Sequence, residues 1–573
     1  MGATFAGPAF AAGTCPSGLP VSGSNCYFVA ANGNDTNSGT SETTPWLHAP
    51  GMPNCANTCA GVTPAPGEGF VFRGGDTWHV ANPSPASGVA IGTDSSSTGC
   101  TFNQNLCGWW WKPSWSGTST SCAWPTTTSG CIYIGVDTNW YNSSVCGGSF
   151  CRPILNLDNP TSTSRVASCA YAYDSPAGTS TNSPYPQAIS FGTTSARASY
   201  IIFDNFELTG GCGASHDSAY IAYDSIGITM EHLYIHGWTE VNGDTGYLIN
   251  AANIPGYPNG DTWAYNVVDG SDSYCSGVNN CSGYAGGSFD VFEYSIWRRV
   301  GGAIPDNALY SGHDNLFEQM YESYDSGVHG DVIRMYGNGN SSGVPVYWYN
   351  NMVRNMDMGT TVTLTASTNG TIYFFNNVMY NIGNGTNCLG FAYNNAVVTA
   401  TVYFANNTID DTPSCVVGIA TPGASGGTVN MTAQNNHMIG YTALFGSVPQ
   451  VQSGYGISFN LTDNGNEIIQ TEAAANAQGY TPGNNYQPTS TGGATYHAGG
   501  NLSSSCSAYS SDSALCKGST GGASNTAGGG AIPTGYIATP PARGSTWDAG
   551  AYQYSGSTAT LPDAPTDLVA TVE

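Results

Sequence analysis

Four aspartates have the residue type and the spacing that catalysis would need. Asp217, Asp244, Asp306 and Asp331 each open a short β-prone run, 12 or 13 residues after a recurring marker position described below. If successive turns of the chain stack in register, Asp306 and Asp331 lie one strand spacing apart, about 5 Å. Two carboxylates at that distance cannot both ionise easily, so one acquires a raised pKa and can act as an acid. Such a pair is the equipment for hydrolysing a glycosidic bond.

Several basic and polar residues accompany this pair. His329 and Arg334 flank Asp331, and His313 follows Asp306 by seven residues. We predict catalytic roles for Asp306, Asp331 and His329. Substrate-binding or orienting roles are predicted for Arg298, Arg334, Glu322 and His313.

Arg298 and Glu322 both lie four residues after a marker position, which would make them neighbours on successive turns. They either form a surface ion pair or supply an arginine that binds a sugar carboxylate or acts as the base of a lyase.

The aspartate column has two non-catalytic interpretations. A Gly-Asp step before a strand is a common turn in which the carboxylate accepts hydrogen bonds from backbone N–H groups. Stacked carboxylates also suit calcium, with Asp217 and Asp244 as its ligands. We therefore expect either no cofactor or Ca²⁺.

A repeated phrase predicts the element that positions these residues. It occurs at Tyr347–Val353, Tyr373–Met379, Tyr403–Ile409 and Thr432–Met438, and its second Asn recurs at intervals of 26, 30 and 29 residues. A period of this length is typical of a solenoid. Asn tolerates the left-handed backbone of a tight turn, and its amide can bond to the same residue one coil away. Strand, Asn turn and strand, with no helical periodicity, predict an all-β parallel β-helix.

Reading the marker backwards along the chain extends the predicted coils. The earlier marker residues on this reading are Asn205, His232, Asn266, Tyr294 and Glu318.

The first fifth of the chain carries a family resemblance. Residues Tyr27–Thr40, Thr44–Trp46 and Pro66–Trp78 resemble the opening segment of secreted right-handed parallel β-helix proteins of the pectate-lyase-like superfamily. Near the other end, Arg543–Tyr552 resembles the terminal strand of such a helix. The resemblance implies a secreted right-handed parallel β-helix. That superfamily holds lyases, hydrolases, esterases and non-catalytic adhesins, so the resemblance implies fold rather than activity.

Two further resemblances concern the site and the C-terminus. Asp residues on neighbouring coils with His and Arg nearby look like the arrangement in polygalacturonase-type glycoside hydrolases, although the Asn-Thr-Asp and Arg-Ile-Lys motifs of that family are absent. Leu561–Ala570 resembles the opening strand of a fibronectin type III module.

These observations give a domain map. We expect an N-terminal lead over 1–26, an opening strand and first coil over 27–100, and a Cys/Trp-rich insertion over 101–199. That insertion is either a cap on the solenoid or an aromatic platform for sugars. The coils and closing strand follow over 200–554, then a linker over 555–560 and a truncated fibronectin-like start over 561–573.

Charge and cysteine content limit the partners and the compartment. With 37 acidic and 11 basic residues, the net charge of −26 should repel nucleic acid and anionic membranes, so neither is an expected partner. The partner we expect from the aspartates and the resemblance is a polysaccharide. The 18 Cys include close pairs such as Cys55/Cys59, Cys146/Cys151 and Cys506/Cys516, which predict disulfides and export from the cell.

We therefore expect a secreted enzyme that hydrolyses a neutral or weakly charged glycan. The alternatives are a calcium-assisted polysaccharide lyase and a non-catalytic glycan-binding or adhesion protein. The sequence leaves the oligomeric state open.

Overall fold

A computed structural model describes the chain over a defined set of residues. They are 12–21, 25–52, 54–79, 89–90, 109–111, 115–118, 130–157, 187–193, 196–213, 218–223, 226–240, 247–251, 260–273, 284–286, 288–300, 308–320, 332–335, 344–356, 360–364, 370–382, 387–391, 398–410, 417–419, 427–441, 450–451 and 457–556. The fibronectin-like stretch 561–573 lies outside them. The chain divides into two compact units, one built mainly from residues 1–287 and the other mainly from residues 288–573.

Unit 1 contains three parallel sheets. The first sheet has, in spatial order, Cys26–Val29, Gly69–Gly74, Ile132–Tyr141, Ile201–Asp204, Ile228–Glu231 and Thr262–Ala264. The second has Val89–Ala90, Thr77–His79, Ile154–Asn156, Glu207–Thr209, Tyr234–His236 and Val267–Asp269. The third has Trp109–Trp111, Gln187–Thr193, Ser218–Tyr223, Tyr247–Ala251 and Tyr284–Gly286.

Smaller elements complete unit 1. Cys212–Gly213 pairs with Thr239–Glu240, Ala196–Arg197 pairs with Gln187–Thr193, and the helices are Asn57–Ala60 and Ser143–Cys146. The described parts of the predicted insertion 101–199 supply strands to all three sheets. The coils therefore begin before residue 200, where the sequence placed their start.

Unit 2 repeats the three-sheet pattern. Its first sheet has Ser288–Glu293, Ala308–His313, Val346–Tyr349, Gly370–Phe375, Val398–Ala405, Gly427–Gln434 and Ile457–Asp463. Its second has Ile296–Arg298, Leu316–Glu318, Met352–Met356, Val378–Ile382, Thr408–Asp410, His437–Ile439 and Ile468–Gln470. Its third has Ile333–Arg334, Thr360–Thr363, Asn387–Gly390, Val417–Ile419 and Gln450–Val451.

The C-terminal residues of unit 2 form a covering segment with little regular structure. It contains the helices Glu472–Ala477 and Cys506–Tyr509, the 3₁₀ turns Pro482–Asn484, Ser503–Ser505 and Ala514–Cys516, and the short strands Ala523–Ser524 and Thr534–Gly535. Cys506, Tyr509, Leu515 and Trp547 of this segment pack on the outer side of first-sheet residues such as Phe375.

The parallel coils confirm the prediction of an all-β parallel β-helix. Side chains along each strand alternate between the interior and the outer surface, as in Gly370–Phe375, where Ile372 and Phe374 are buried. Interior aromatic rings stack on the equivalent residue of the next coil, and the ring centroids of Phe374 and Phe404 lie 5.2 Å apart.

The two residues of each Asn pair have different tasks. The first takes the left-handed backbone of the turn, with φ values of 55° at Asn350 and 56° at Asn376. The second points inward, and its side-chain oxygen accepts hydrogen bonds from the second Asn of the preceding coil. This ladder runs Asn315, Asn351, Asn377, Asn407, Asn436 and ends on Glu467. Each turn is thereby fixed in phase with the next.

The ladder corrects the sequence marker. Ser295 and Asn315 occupy the ladder position in the first two coils of unit 2, whereas Glu318 lies in a second-sheet strand. The coils on either side of Asn315 differ in length, with ladder residues 20 and 36 positions apart. A marker counted at an average interval therefore slips there by three residues.

Disulfides join residues that are close in sequence. The described bridges are Cys15–Cys26, Cys55–Cys59, Cys146–Cys151 and Cys506–Cys516. Of the close pairs predicted from the sequence, Cys55/Cys59, Cys146/Cys151 and Cys506/Cys516 are confirmed; Cys100/Cys107, Cys122/Cys131 and Cys275/Cys281 involve residues outside the described ranges.

Candidate active site

Most of the residues predicted from the sequence to form the site fall outside the described ranges. These residues are Asp217, Asp244, Asp306, Glu322, His329 and Asp331. Their proposed roles, including calcium binding at the first two, stay predictions.

The strands that follow the aspartates test the assumed stacking. Asp217 and Asp244 precede neighbouring third-sheet strands of unit 1, Ser218–Tyr223 and Tyr247–Ala251. Asp331 precedes Ile333–Arg334 in the third sheet of unit 2, but Asp306 precedes Ala308–His313 in the first sheet. The assumption that Asp306 and Asp331 open stacked strands is therefore wrong, because their spacing was counted from the misplaced marker.

The two predicted arginines lie on different sheets. Arg334 pairs in register with Thr363 of the third sheet. Arg298 lies opposite Glu318 on the second sheet, which corrects the predicted neighbour Glu322 by four residues. A guanidinium nitrogen of Arg298 donates to the backbone carbonyl of Gly529 at 3.1 Å, so this arginine helps to hold the covering segment.

His313 is the predicted residue that lies in a cluster of ionisable groups. It ends the first-sheet strand Ala308–His313, where it stands in register between Glu293 and Tyr349. Its Nδ1 lies 2.8 Å from Asp314 Oδ2, and its Nε2 lies 3.5 Å from Glu293 Oε2. Its ring stacks on that of Tyr349, with centroids 4.6 Å apart. The imidazole is thus fixed between two carboxylates. We call this set, together with Asp512, the acidic corner.

The surroundings of Asp314 explain why the imidazole is held firmly. Asp314 takes the left-handed turn position with φ of 58° and is buried. Its Oδ1 accepts hydrogen bonds from Asn350 Nδ2 at 3.1 Å and from the Thr520 hydroxyl. These partners hold the carboxylate of Asp314 in one orientation, and its hydrogen bond to Nδ1 in turn orients the ring of His313.

Burial and charge act differently on the two titratable groups that face each other. Burial raises the pKa of Glu293; His313 opposes the rise, and Asp314 and Asp512 add to it. Burial alone would lower the pKa of His313, but its hydrogen bond to Asp314 and the charges of Glu293, Asp314 and Asp512 raise it. The corner therefore favours a protonated imidazole beside a carboxyl group that holds its proton more tightly than usual.

Asp512 completes the corner from the covering segment. It is exposed, its Oδ1 accepts a hydrogen bond from Ala514 N at 3.2 Å, and the Cys506–Cys516 disulfide closes the loop around it. The side chain of Glu293 is 26% exposed and that of His313 is 14% exposed. A ligand can therefore reach both Glu293 and Asp512 from solvent.

A row of partly exposed tyrosines runs along the same sheet. Tyr310, Tyr347, Tyr373 and Tyr403 belong to four successive strands, and their ring centroids lie 5.3, 5.1 and 5.2 Å apart in that order. We call them the tyrosine row. Tyr310 and Tyr347 belong to the strands that also carry His313 and Tyr349, so the row begins beside the acidic corner.

Unit 1 contains a second polar cluster. His236 Nδ1 lies 2.7 Å from Asp272 Oδ2, and His236 Nε2 lies 3.1 Å from Glu207 Oε1. Burial would lower the pKa of His236, but these two hydrogen-bonded carboxylates raise it to about 9. This histidine therefore joins three coils of unit 1.

No described group of three or more His, Cys, Asp and Glu side chains could hold a metal ion. Among the helices in the described ranges, none is long and apolar enough to span a bilayer.

Sequence reasoning missed Glu293, Asp314 and Asp512. The ladder would have revealed the first two once Ser295 and Asn315 were recognised as its members, because Glu293 lies two residues before Ser295, as His313 does before Asn315, and Asp314 directly precedes Asn315. No periodic signal marks Asp512, which lies in the irregular covering segment.

Comparison with known proteins gives a weak likeness to a solved structure. No protein-family model matches the chain, and no curated protein matches it. Among solved structures, the chain is similar to the crystal structure of pectate lyase Pel9A, with a TM-score of 0.31 and 12% sequence identity. The alignment covers 84% of this chain and 93% of that one. A likeness of this size says nothing about the activity of the chain.

Proposed function

We propose that the chain is a carbohydrate-active enzyme that hydrolyses a glycosidic bond at the acidic corner of unit 2. The observation that carries this proposal is Glu293, a partly exposed carboxyl group held beside the fixed imidazole of His313, with the exposed carboxyl group of Asp512 near enough to interact with both electrostatically. The electrostatic interaction of the two carboxyl groups helps to raise the pKa of Glu293. Two carboxyl groups in unlike environments are what glycoside hydrolysis requires.

The environments assign the roles. Glu293 is the more buried of the two, and burial raises its pKa, so it protonates the oxygen of the leaving sugar. Asp512 faces solvent and either activates a water molecule or attacks the sugar carbon. His313, oriented by Asp314, fixes the position of Glu293 and can return a proton to it after each turnover.

The tyrosine row supports a sugar as the ligand. Partly exposed phenol rings offer apolar edges to the C–H groups of a pyranose and hydroxyls to its oxygens. Tyr509 of the covering segment packs against Tyr373 and Tyr403, so a glycan bound along the row passes beside Tyr509 before it presents a bond to Glu293.

The charge of the corner favours hydrolysis over elimination. A lyase abstracts the proton next to a uronate carboxylate and must neutralise that carboxylate with a cation. In the described part of the corner, the carboxylates of Asp314 and Asp512 outnumber the one imidazole of His313 even when Glu293 is protonated, which leaves an excess of negative charge. The net charge of −26 adds to the repulsion of a polyanion. We therefore propose a neutral glycan as the substrate. The four described disulfides support action outside the cell.

A digestion panel of neutral and uronate polysaccharides tests the reaction. Hydrolysis releases reducing ends without an unsaturated, ultraviolet-absorbing product, whereas a lyase releases both. Reducing ends alone from a neutral glycan are expected. Unsaturated products, or no release from any glycan, would contradict hydrolysis.

Two variants test the location of the chemistry. Asp512→Asn should abolish most turnover and leave the thermal midpoint nearly unchanged, because the side chain is exposed. Asp331→Asn tests the aspartate predicted from the sequence. If Asp331→Asn abolishes turnover and Asp512→Asn does not, the active site lies at the sequence-predicted residues and not at the acidic corner.

A further inference from the structure

The outer face of the first sheet in unit 2 is built from a narrow set of residue types. Over Gly370–Phe375, Val398–Ala405, Gly427–Gln434 and Ile457–Asp463, alternate residues point outward. Phe375 and Ala405 among them are buried under the covering segment, and the residues of the columns below are partly or fully exposed. In-register pairing aligns them into columns. One column is Thr371, Thr401, Asn430 and Asn460, the next is Tyr373, Tyr403, Thr432 and Thr462, and the third is Thr399, Thr428 and Ser458. We call these residues the hydroxyl face.

The hydroxyl face carries no charge. Every residue in its three columns is Thr, Ser, Asn or Tyr, in a chain with 37 acidic and 11 basic residues. Charged residues are among the side chains most often exposed at a protein surface. A surface of hydroxyls and amides instead offers both hydrogen-bond donors and acceptors, and it neither attracts nor repels ions.

The spacing of the face suits a repeating ligand. Parallel strands in register repeat about every 4.8 Å, so each column presents equivalent groups at that interval. This interval is close to the length of one sugar unit in an extended, equatorially linked glycan. The columns are also ordered. Asn460 Nδ2 donates to Asn430 Oδ1 at 2.9 Å, and the rings of Tyr373 and Tyr403 are within 11° of parallel.

The face is continuous with the tyrosine row. Register pairing links Tyr347 to Tyr373, Tyr403, Thr432 and Thr462 without a break. The column crosses four strand intervals, roughly 19 Å. Tyr509 of the covering segment packs against Tyr373 and Tyr403 on this column, with ring centroids 4.9 and 5.6 Å away, so a chain bound to the face passes beside Tyr509 to reach the strands of the acidic corner.

We infer that the hydroxyl face is a binding surface for several consecutive units of a long, uncharged polysaccharide. The inference deepens the proposed function, on which it rests only in taking a glycan as the ligand. It makes the protein a binder of internal stretches of a polymer, with subsites extending from the acidic corner towards the strand Ile457–Asp463.

Binding is measured without turnover, so that the two proposals can fail separately. The full chain is titrated calorimetrically with neutral oligosaccharides of increasing length, and with a polyuronate of matched length. Affinity for a neutral series should rise with each added unit up to about four or five units and then level off. The polyuronate should bind more weakly.

Two variants localise the interaction, and a third serves as a control. Asn430→Asp keeps the acceptor for Asn460 but adds a charge to the face, and it should weaken binding of the longest oligosaccharide roughly tenfold. Thr432→Val removes a hydroxyl and should weaken it several-fold. The control is Asn501→Asp, since Asn501 is exposed off the face and its Oδ1 accepts from Ser503 N, a bond that Asp preserves. It should bind as the wild type does.

The outcomes separate the two proposals. Binding with this length dependence but without cleavage upholds the face and contradicts hydrolysis. Cleavage with affinity that does not change beyond two units, or with no effect of Asn430→Asp, upholds hydrolysis and overturns the face. Preference for the polyuronate, or no binding of any neutral glycan, also overturns the face.

Discussion

Replacing Asn407 by Ala should destabilise unit 2 strongly, because this side chain joins three coils. Its Oδ1 accepts from Asn377 N at 3.0 Å and from Asn377 Nδ2 at 3.1 Å. Its Nδ2 donates to the Phe374 carbonyl at 3.1 Å and to Asn436 Oδ1 at 3.0 Å. The alanine leaves one backbone N–H and one backbone carbonyl without this partner in a buried place. At about 1–3 kcal/mol for each unpaired group, the free energy of unfolding should fall by about 2–6 kcal/mol.

The adjacent residue gives a matched control. Asn406 is equally buried, but its side-chain oxygen and nitrogen make no hydrogen bond with any described residue. Its φ of 54° is one that Gly adopts freely, so Asn406→Gly should change the free energy of unfolding by no more than about 1 kcal/mol.

Urea denaturation followed by far-ultraviolet circular dichroism measures both variants against the wild type. The ladder explanation requires the midpoint of Asn407→Ala to fall well below that of Asn406→Gly. Equal midpoints for the two variants would refute the claim that the inward amides hold the coils in phase.

Three further predictions concern ionisable groups that are buried or half-buried. The pKa of His236 is raised to about 9 from an ordinary value of 6.5, so the stability that its protonation contributes should be complete below pH 6.5 and lost as the pH rises through about 9. The variant His236→Gln should lack this part of the pH dependence of the thermal midpoint. Burial raises the pKa of Glu467 to about 8 from 4.5, so the wild type should lose stability between those pH values, whereas Glu467→Gln should keep it and unfold at higher urea at pH 8. The guanidinium of Arg543 is buried and donates to the carbonyls of Lys517, Asp548, Gly550 and Ala551. Arg543→Lys should therefore lower the free energy of unfolding by about 3 kcal/mol. A change below about 1 kcal/mol in urea denaturation would contradict a stabilising role for these hydrogen bonds.

The coils of unit 2 after Asn350 could be predicted from the sequence because their geometry demands a particular residue. The second position of the turn repeats the same hydrogen bonds and the first requires a left-handed backbone, so Asn occurs at both and the pair is visible as a motif. In the coils around Glu293 and His313, the left-handed position is taken by Tyr294 and Asp314, so the motif disappears. The change from a 20-residue to a 36-residue interval then shifted the predicted phase.

The site was harder to predict than the coils. His313 was selected for its distance in sequence from Asp306, yet the contacts that the structure gives it are with Glu293, Asp314 and Tyr349. Glu293 is a neighbour of His313 through strand pairing, and the sequence reveals that pairing only when successive coils are aligned correctly. Asp512 arrives from an irregular segment whose position depends on the Cys506–Cys516 disulfide and on packing against Phe375, and neither leaves a periodic trace.

The most direct test of the proposed chemistry is the cleavage rate of Glu293→Gln on the neutral glycan that the wild type digests best. Loss of the general acid should slow cleavage by about a hundred- to ten-thousand-fold, while the affinity for a long oligosaccharide stays within a factor of two. Glu472→Gln, an exposed change on the helix Glu472–Ala477, should cleave at the wild-type rate. Wild-type turnover by Glu293→Gln would contradict the assignment of the acidic corner as the active site.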